Sequence, residues 1–296
     1  MLQKIMLAGL TLAFAASTAL AADTPSTHAS LSAAEIVAKN IQARGGLQAW
    51  RSVQSLSWSG KMGAGGNQRS TLPVALPGKQ AKSVALPSRP KDEAQLPFLM
   101  EMQRPRKTRI ELQFNGDTAL QVYDGANGWK LRPFLNRREV ETYTADELKA
   151  AAKQTDIDGP LVDYAAKGTQ IGLEGLEKVE DRNTYKLKLT LKNGEITHIW
   201  IDAATFLETK IEGQPRRLDG KEHPVEIYYR DYRDVNGLQI PFVLETKVLP
   251  VSDSSSRVKE LPIPAEKIVL EKVLVNPKLD ASHFTKPDVQ VASARH

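Results

Sequence analysis

The sequence predicts a mainly β (α+β) fold, an antiparallel sheet of about eleven strands with three helices. Several stretches alternate apolar and polar residues with the period of a half-buried strand, most clearly residues 185–192. Asn-Gly and Asp-Gly pairs, which favour tight hairpin turns, separate many of these stretches. Two helical patterns interrupt the strands in mid-chain. A meander of this length closes into a barrel or curls into a half-barrel whose mouth the helices can fill.

The first 21 residues have the pattern of a secretory signal peptide. Lys4 precedes an uncharged apolar run over residues 5–16, and Ala19 and Ala21 stand at the positions that a signal peptidase reads. The run is shorter than the roughly 20 residues that a membrane-spanning helix needs, which favours cleavage over an uncleaved anchor. We therefore expect cleavage after Ala21 and a periplasmic location.

The composition narrows the class of protein further. The chain has no cysteine, so an exported form depends on its core alone for stability. Ala22 and Asp23 stand where a bacterial lipoprotein carries its lipid-modified cysteine, so we expect a soluble monomer after export. A formal net charge of +5 is mild and suits an anionic membrane surface, while nucleic-acid binding is not expected.

The rest of the chain is expected to form one domain. A flexible lead over residues 22–31 precedes the domain, which covers residues 32–287, and residues 288–296 form a loose tail. Residues 63–96, rich in Gly, Pro and Ser, are expected to form a flexible insertion. This insertion is either a mobile lid or docking arm, or a tolerated surface loop. Further loops are expected near residues 214–223 and 252–264.

Capping patterns locate the three helices. Ser32 with Glu35 forms a capping-box pattern, and the helix that follows ends at a pair of glycines, 45 and 46. Thr144 with Glu147 opens a second helix that runs to about residue 153. A third, short helix is expected over residues 160–168, from a proline to a glycine.

The sequence shows no pattern that is typical of an enzyme. Its five histidines lie far apart without metal-ligand spacing, and no Gly-x-Ser-x-Gly motif occurs. Asp156 and Asp158 precede a proline, a context more typical of a loop and helix cap than of a catalytic pair. We therefore expect a non-enzymatic protein without a metal or other cofactor.

Several short motifs resemble those of the LolA/LolB-like family of periplasmic carriers that sort outer-membrane lipoproteins. They are Gln103-Arg104-Pro105, the Val-Tyr-Asp-Gly of residues 122–125 with Trp129, and the closing residues 276–287. The resemblance implies a half-barrel with an apolar cavity for lipoprotein acyl chains or other lipids. It also implies an inner-membrane donor complex, an outer-membrane acceptor, and a role for Arg104 in tethering the lid helices.

Apolar residues of the predicted strands are the candidates for the cavity wall. Each of them is equally consistent with ordinary packing between sheet and helix. They are Leu99, Ile110, Leu112, Val122, Trp129, Leu131 and Trp200. The cations next to Arg104 in sequence are equally consistent with a solvated strand face.

The sequence thus favours a periplasmic carrier that binds lipoprotein acyl chains or other lipid-like ligands for transfer towards the outer membrane. One alternative is a sensor of the same fold that acts in envelope stress signalling. The other is a periplasmic hydrolase whose site the sequence does not reveal.

Overall fold

The computed structural model describes residues 31–64, 94–133, 137–154, 156–218, 220–251 and 263–288. These residues form three α-helices, α1 (Ala33–Ala43), α2 (Leu47–Ser52) and α3 (Ala145–Gln154), and a C-terminal 3-10 helix (Ala281–Phe284). The strands are β1 (Ser55–Ala64), β2 (Ala94–Gln103), β3 (Lys107–Phe114), β4 (Asp117–Tyr123), β5 (Gly128–Arg132), β6 (Arg137–Thr142), β7 (Gln170–Val179), β8 (Arg182–Thr190), β9 (Ile196–Asp202), β10 (Glu208–Leu218), β11 (Lys221–Val235), β12 (Leu238–Val248) and β13 (Glu266–Val275). The predicted signal peptide, almost all of the lead and the tail, and most of the 63–96 insertion lie outside the described residues.

All thirteen strands belong to one antiparallel sheet. Their order is β6-β5-β4-β3-β2-β1-β13-β12-β11-β10-β9-β8-β7. β6 and β7 lie at the two edges and do not pair with each other, so the sheet is open and not a closed barrel. The predicted mainly β, antiparallel architecture is confirmed.

The prediction of about eleven strands is too low, and β7 shows why. This edge strand contains Gly172 and Gly175, and its pairing with β8 shifts between Leu173 and Gly175. The shift breaks the period of two that would reveal the strand in the sequence. The loop expected over residues 214–223 is also wrong, because β10 and β11 continue through this range as one hairpin.

The sheet curls, and α3 shows this directly. Lys130 of β5 donates to Glu147 of α3 at 2.6 Å, and Lys153 near the other end of α3 donates to Glu195 at 2.6 Å. Glu195 lies in the turn between β8 and β9, nine strand positions away from β5. Nine positions span about 43 Å in a flat sheet, whereas α3 is about 15 Å long. The two halves of the sheet therefore bend towards the same helix.

The strand register defines an inner and an outer face. The inner face carries Leu56 of β1, Met102 of β2 and Ile240 of β12, which form a buried core with Trp50 of α2. Side chains at alternate positions point to the outer face, as Ser57 and Ser59 of β1 do. The helices α1 and α2 therefore cover the inner face.

Helix α1 begins as the sequence predicts. Ser32 and Glu35 form the full capping box, with the Ser32 N–H donating to the Glu35 carboxylate at 2.8 Å. The helix ends at a close approach to the sheet, where Gly45 has φ +115° and lies against the β11–β12 turn. A Cβ at this position would lie 2.3 Å from the carbonyl oxygen of Gly237. Only glycine fits here without displacing the turn.

The helix expected over residues 160–168 is wrong, because residues 157–168 form consecutive turns. Positive φ angles at Asp163 (+52°) and Gly159 (+77°) interrupt any helical run. Ile157, Leu161 and Val162 are nonetheless buried, so this segment closes over the core without regular structure. We call residues 156–168 the cover. The third helix of the structure is instead α2, which the sequence pattern did not predict.

The outer face is screened by long polar side chains and by the C-terminal segment. On one half of the sheet, Trp200 and Tyr228 are buried beneath Lys210, 4.0 Å from the indole centroid, and Lys247, 3.9 Å from the phenol centroid. On the other half, Phe284 of the 3-10 helix is buried against β3 and β4. Much of the apolar surface of the outer face is thus covered by this chain, although Val269 and Leu274 of β13 stay exposed there.

The close approach at Gly45 gives a test of the fold. Changing Gly45 to Ala is expected to lower the free energy of unfolding by about 2–4 kcal/mol, because the new Cβ adds a clash to an unfavourable φ. Gly116→Ala is the matched control, since Gly116 has φ +81° with no heavy atom within 4 Å of the added Cβ. It should cost only about 1 kcal/mol. Urea unfolding measures both, and equal losses would contradict the close approach.

Candidate ligand-binding face

A band of apolar side chains crosses the inner face of the sheet. Its members share this face through the strand register, and each is half-buried rather than enclosed. They are Trp58, Met62, Met100, Ile110, Leu112, Ile211, Ile227, Leu244 and Ile268. The band runs from β3 to β10 across the centre of the sheet, and we call it the apolar band.

The inner-face side chains of β1 and β12 become less buried from the start of each strand towards Met62 and Leu244. On β12, Leu238, Ile240 and Phe242 are buried, whereas Leu244 is half-buried. On β1, Leu56 is buried and Met62 is half-buried. The cover and α2 thus enclose one end of the inner face. At the other end an apolar surface stays accessible, as a binding surface for an apolar ligand requires.

Arg104 joins the cover to the sheet. It follows β2, and its Nε donates to the carbonyl of Val53 at 2.7 Å, while Nη2 donates to the carbonyl of Trp50 at 3.3 Å. The same Nη2 donates to the Asp158 carboxylate of the cover at 2.7 Å. One guanidinium therefore binds the end of α2 and the cover together, and the planar fork of arginine suits this set of acceptors.

Asp158 is the point where several cations meet. Its carboxylate is nearly fully buried and also accepts from Lys167 Nζ at 2.8 Å, while its carbonyl accepts from Arg44 Nη1 at 2.9 Å. Burial alone raises the pKa of the Asp158 carboxyl, but the hydrogen bonds from Lys167 and Arg104 outweigh it and hold the pKa below its ordinary value. The carboxylate is thus charged at neutral pH and fully paired.

Further polar contacts join the end of α1 to the other half of the sheet and α2 to the cover. Arg44 Nη1 lies 3.3 Å from the Glu208 carboxylate at the start of β10, and the Tyr232 hydroxyl donates to Glu208 at 3.1 Å. At the surface, Arg51 of α2 forms a two-bond pair with Asp163 of the cover, and this hydrogen bonding lowers the pKa of Asp163. The cover is therefore held largely by charged contacts around a small apolar centre.

The structure distributes the predicted wall residues over both faces. Ile110 and Leu112 lie on the inner face within the apolar band. The others lie on the outer face: Leu99, Val122, Trp129 and Leu131 on the half near the C-terminal segment, and Trp200 on the other half. Trp200 donates its indole N–H to Glu177 at 2.9 Å beneath the lysine side chains.

Seven members of the apolar band were not among the sequence candidates. They are Trp58, Met62, Met100, Ile211, Ile227, Leu244 and Ile268. The alternation of Leu56 and Trp58 on β1 is a usable signal, because it places both on one face. The remaining members need the pairing register, which the sequence alone does not supply.

A separate cavity of about 600 Å³ lies on the outer face. Its floor includes Leu99 and Leu120, and the C-terminal segment forms one side. The segment is fixed there by His283, whose Nδ1 lies 2.8 Å from the buried Glu101 carboxylate, and by Arg109, which donates to the His283 carbonyl at 3.4 Å. The cavity and the apolar band are thus on opposite sides of the sheet.

The described part of the chain lacks two other kinds of feature. It contains no cluster of three or more His, Cys, Asp or Glu side chains that could hold a metal ion. No helix within it is long and apolar enough to cross a bilayer.

The contacts of Arg104 predict the effect of a conservative substitution. Arg104→Lys keeps the charge near Asp158 but cannot reach Val53, Trp50 and Asp158 together. We expect the free energy of unfolding to fall by about 1–2 kcal/mol and amide exchange to increase selectively in residues 157–168. Arg106→Lys, at an exposed side chain 4.0 Å from Asp156, should change neither. Uniform exchange across the sheet in Arg104→Lys would contradict the tether.

The lowered pKa values of Asp158 and Asp163 predict a loss of stability in acid. A folded-state pKa below the unfolded value contributes stability above the unfolded pKa of about 3.9, and this is lost as the pH falls through the folded-state pKa. Urea midpoints should therefore fall as the pH is lowered from 5 to 2.5. Asp158→Asn cannot titrate and should show a shallower fall from a lower starting stability. An equally steep fall of the urea midpoint in this variant would exclude Asp158 as a source of the acid sensitivity.

Comparison with solved structures finds similar chains, whereas no family model and no curated protein matches. A LolA superfamily protein from Nitrosomonas europaea has 12% identity and a TM-score of 0.49, covering 87% of this chain and 99% of its own. A domain from Vibrio parahaemolyticus described as an outer-membrane lipoprotein-sorting protein has 11% identity and the same TM-score, with 88% and 97% covered. A DUF1329 family protein from Desulfovibrio piger has 11% identity and a TM-score of 0.49, with 86% and 97% covered.

Proposed function

We propose that this protein binds the acyl chain of a lipoprotein or another lipid on the inner face of its sheet and carries it through the periplasm towards the outer membrane. The observation that carries the proposal is the apolar band, nine half-buried side chains that share one face beside a cover held by charged contacts. Such a face offers an acyl chain a surface that water leaves readily.

The cost of exposing an acyl chain to water sets the binding free energy that such a face must supply. Removing a CH₂ group from water contributes ~0.8 kcal/mol, so a sixteen-carbon chain resists crossing an aqueous space by roughly 10 kcal/mol. Leucine, isoleucine and methionine side chains match this requirement, and methionine adapts its shape to ligands that vary. The band contains Met62 of β1 and Met100 of β2, and these two paired strands lie at the sheet centre. The affinity is therefore expected to follow chain length.

Release requires that the enclosed end of the face can open. The Arg51–Asp163 pair is partly exposed, and exposed ion pairs contribute little to stability. Arg104 and Asp158 are less exposed and hold more firmly. A partner at a membrane could therefore open the cover by breaking a few polar contacts. In this proposal an inner-membrane donor loads the ligand and an outer-membrane acceptor receives it.

The decisive experiment is lipid analysis of the protein purified from the periplasm. Native mass spectrometry of the chain that begins at Ala22 should show a fraction with added lipid mass, and extraction should identify acyl chains. Titration of the delipidated protein with fatty-acyl probes of increasing length should give rising affinity. A protein that carries no acyl ligand and binds none of these probes is not such a carrier.

Neighbouring residues of β12 give a matched test of the face. Leu244→Asn places an amide in the apolar band, so we expect at least a tenfold loss of affinity for a sixteen-carbon probe. Val243→Asn changes the next residue, which is also half-buried but points to the outer face. It should leave affinity within about twofold. Fluorescent acyl-probe displacement measures both variants, and equal losses would place the ligand elsewhere.

A further inference from the structure

The indole of Trp58 has an unused hydrogen-bond donor inside the apolar band. Its Nε1 is shielded from solvent and has no hydrogen-bond partner within the described part of the chain. Two other tryptophans satisfy the same atom: Trp50 donates to the Arg44 carbonyl at 3.1 Å and Trp200 to Glu177 at 2.9 Å. A buried donor without a partner has lost its hydrogen bonds to water and gained none in exchange, so it calls for an explanation.

The surroundings of Trp58 explain why the protein itself offers no acceptor. Its cross-strand neighbours are Met100 on β2 and Val273 on β13, which lack a strong acceptor in their side chains. Along β1, the same face presents Leu56 and Gly60. β1 is the sixth strand of thirteen, so Trp58 lies near the centre of the sheet. An acceptor at this place is therefore most simply supplied by a bound molecule.

We propose that Trp58 donates a hydrogen bond to the carbonyl oxygen of an ester- or amide-linked acyl group, and that such acyl groups are the preferred ligand class of the apolar band. This inference rests on the proposed function and specifies its ligand. The ring is half-buried while its Nε1 is shielded, so binding in this way requires a movement of the ring or of the cover that presents the N–H to the ligand.

The charge of the band decides between kinds of acyl ligand. None of its nine side chains is charged, and a carboxylate buried among them would need a cation that they do not provide. A neutral ester or amide carbonyl needs only one donor. The site should therefore favour a glycerolipid or an acylated lipopeptide over a free fatty acid, and it should also favour an ester over an ether-linked chain of equal length.

The experiment compares an ester-linked diacyl glycerophospholipid with its ether-linked analogue of the same chain length and headgroup. We expect wild-type protein to bind the ester about three- to tenfold more tightly, since a single neutral hydrogen bond distinguishes the two. Trp58→Phe should bind both with the affinity that wild type shows for the ether. Trp200→Phe, on the outer face, should keep the preference. A lipopeptide with one amide-linked acyl chain, compared with its ether-linked analogue of the same chain length, tests the amide source in the same way.

A second readout concerns the unliganded protein. Both Trp58→Phe and Trp200→Phe lose part of a packed ring, but only Trp200→Phe also loses a hydrogen bond, so its urea midpoint should fall further than that of Trp58→Phe. An equal or larger fall in Trp58→Phe would mean that the N–H already has a partner, and would overturn the proposal.

The outcomes separate the two proposals. If wild type binds neither lipid, the proposed function fails. If it binds ester and ether equally, the inferred ligand class and the role of Trp58 both fail while the proposed function stands. If the ester preference exists but Trp58→Phe keeps it, only the role of Trp58 fails. The wild-type comparison decides the ligand class even if Trp58→Phe does not fold.

Discussion

The buried carboxylate of Asp158 is the contact on which the closed form of this molecule depends. Removing a charge from water is costly unless hydrogen bonds and opposite charges replace the solvent, and Lys167 and Arg104 supply both. The cover has no helical hydrogen-bond ladder of its own, so its position follows from these contacts and from Ile157, Leu161 and Val162. The enclosed end of the inner face exists only while this arrangement holds.

Local patterns in the sequence account for much of the secondary structure. The capping pairs at Ser32 and Thr144 begin α1 and α3, because each pairs a hydroxyl with an acid three residues later. The Asn-Gly pairs at 115–116 and 236–237 have positive φ at both positions, as a two-residue hairpin turn requires. These features depend on neighbours in the chain. The cover could not be predicted because its partners, Arg44, Arg51 and Arg104, lie more than fifty residues away.

The candidate wall was harder to predict for a reason that is specific to sheets. Alternation shows which residues share a face of one strand, but only the pairing register shows which face is inner. On β2 the apolar run over residues 96–100 hides the alternation, so the sequence favours Leu99 as a wall residue although Met100 is the one on the inner face. On β4 and β5 the apolar Val122 and Leu131 face outwards, where the C-terminal segment and neighbouring strands bury them. These residues are apolar because they are buried on the outer face, and not because they line the inner face.

The polar contacts of the cover also connect the two halves of the curled sheet. Arg104, which follows β2, donates to the Asp158 carboxylate of the cover. The backbone carbonyl of Asp158 accepts a hydrogen bond from Arg44, and Arg44 forms an ion pair with Glu208 on β10. Opening the cover would therefore break a path that spans the inner face from one half of the sheet to the other. The outer face has its own ion pairs, such as Arg230 with Glu180, which do not involve the cover. The path through Asp158 is separate from the backbone hydrogen bonds between the strands, so the proposed loading and release would leave the strand pairing that creates the apolar band in place.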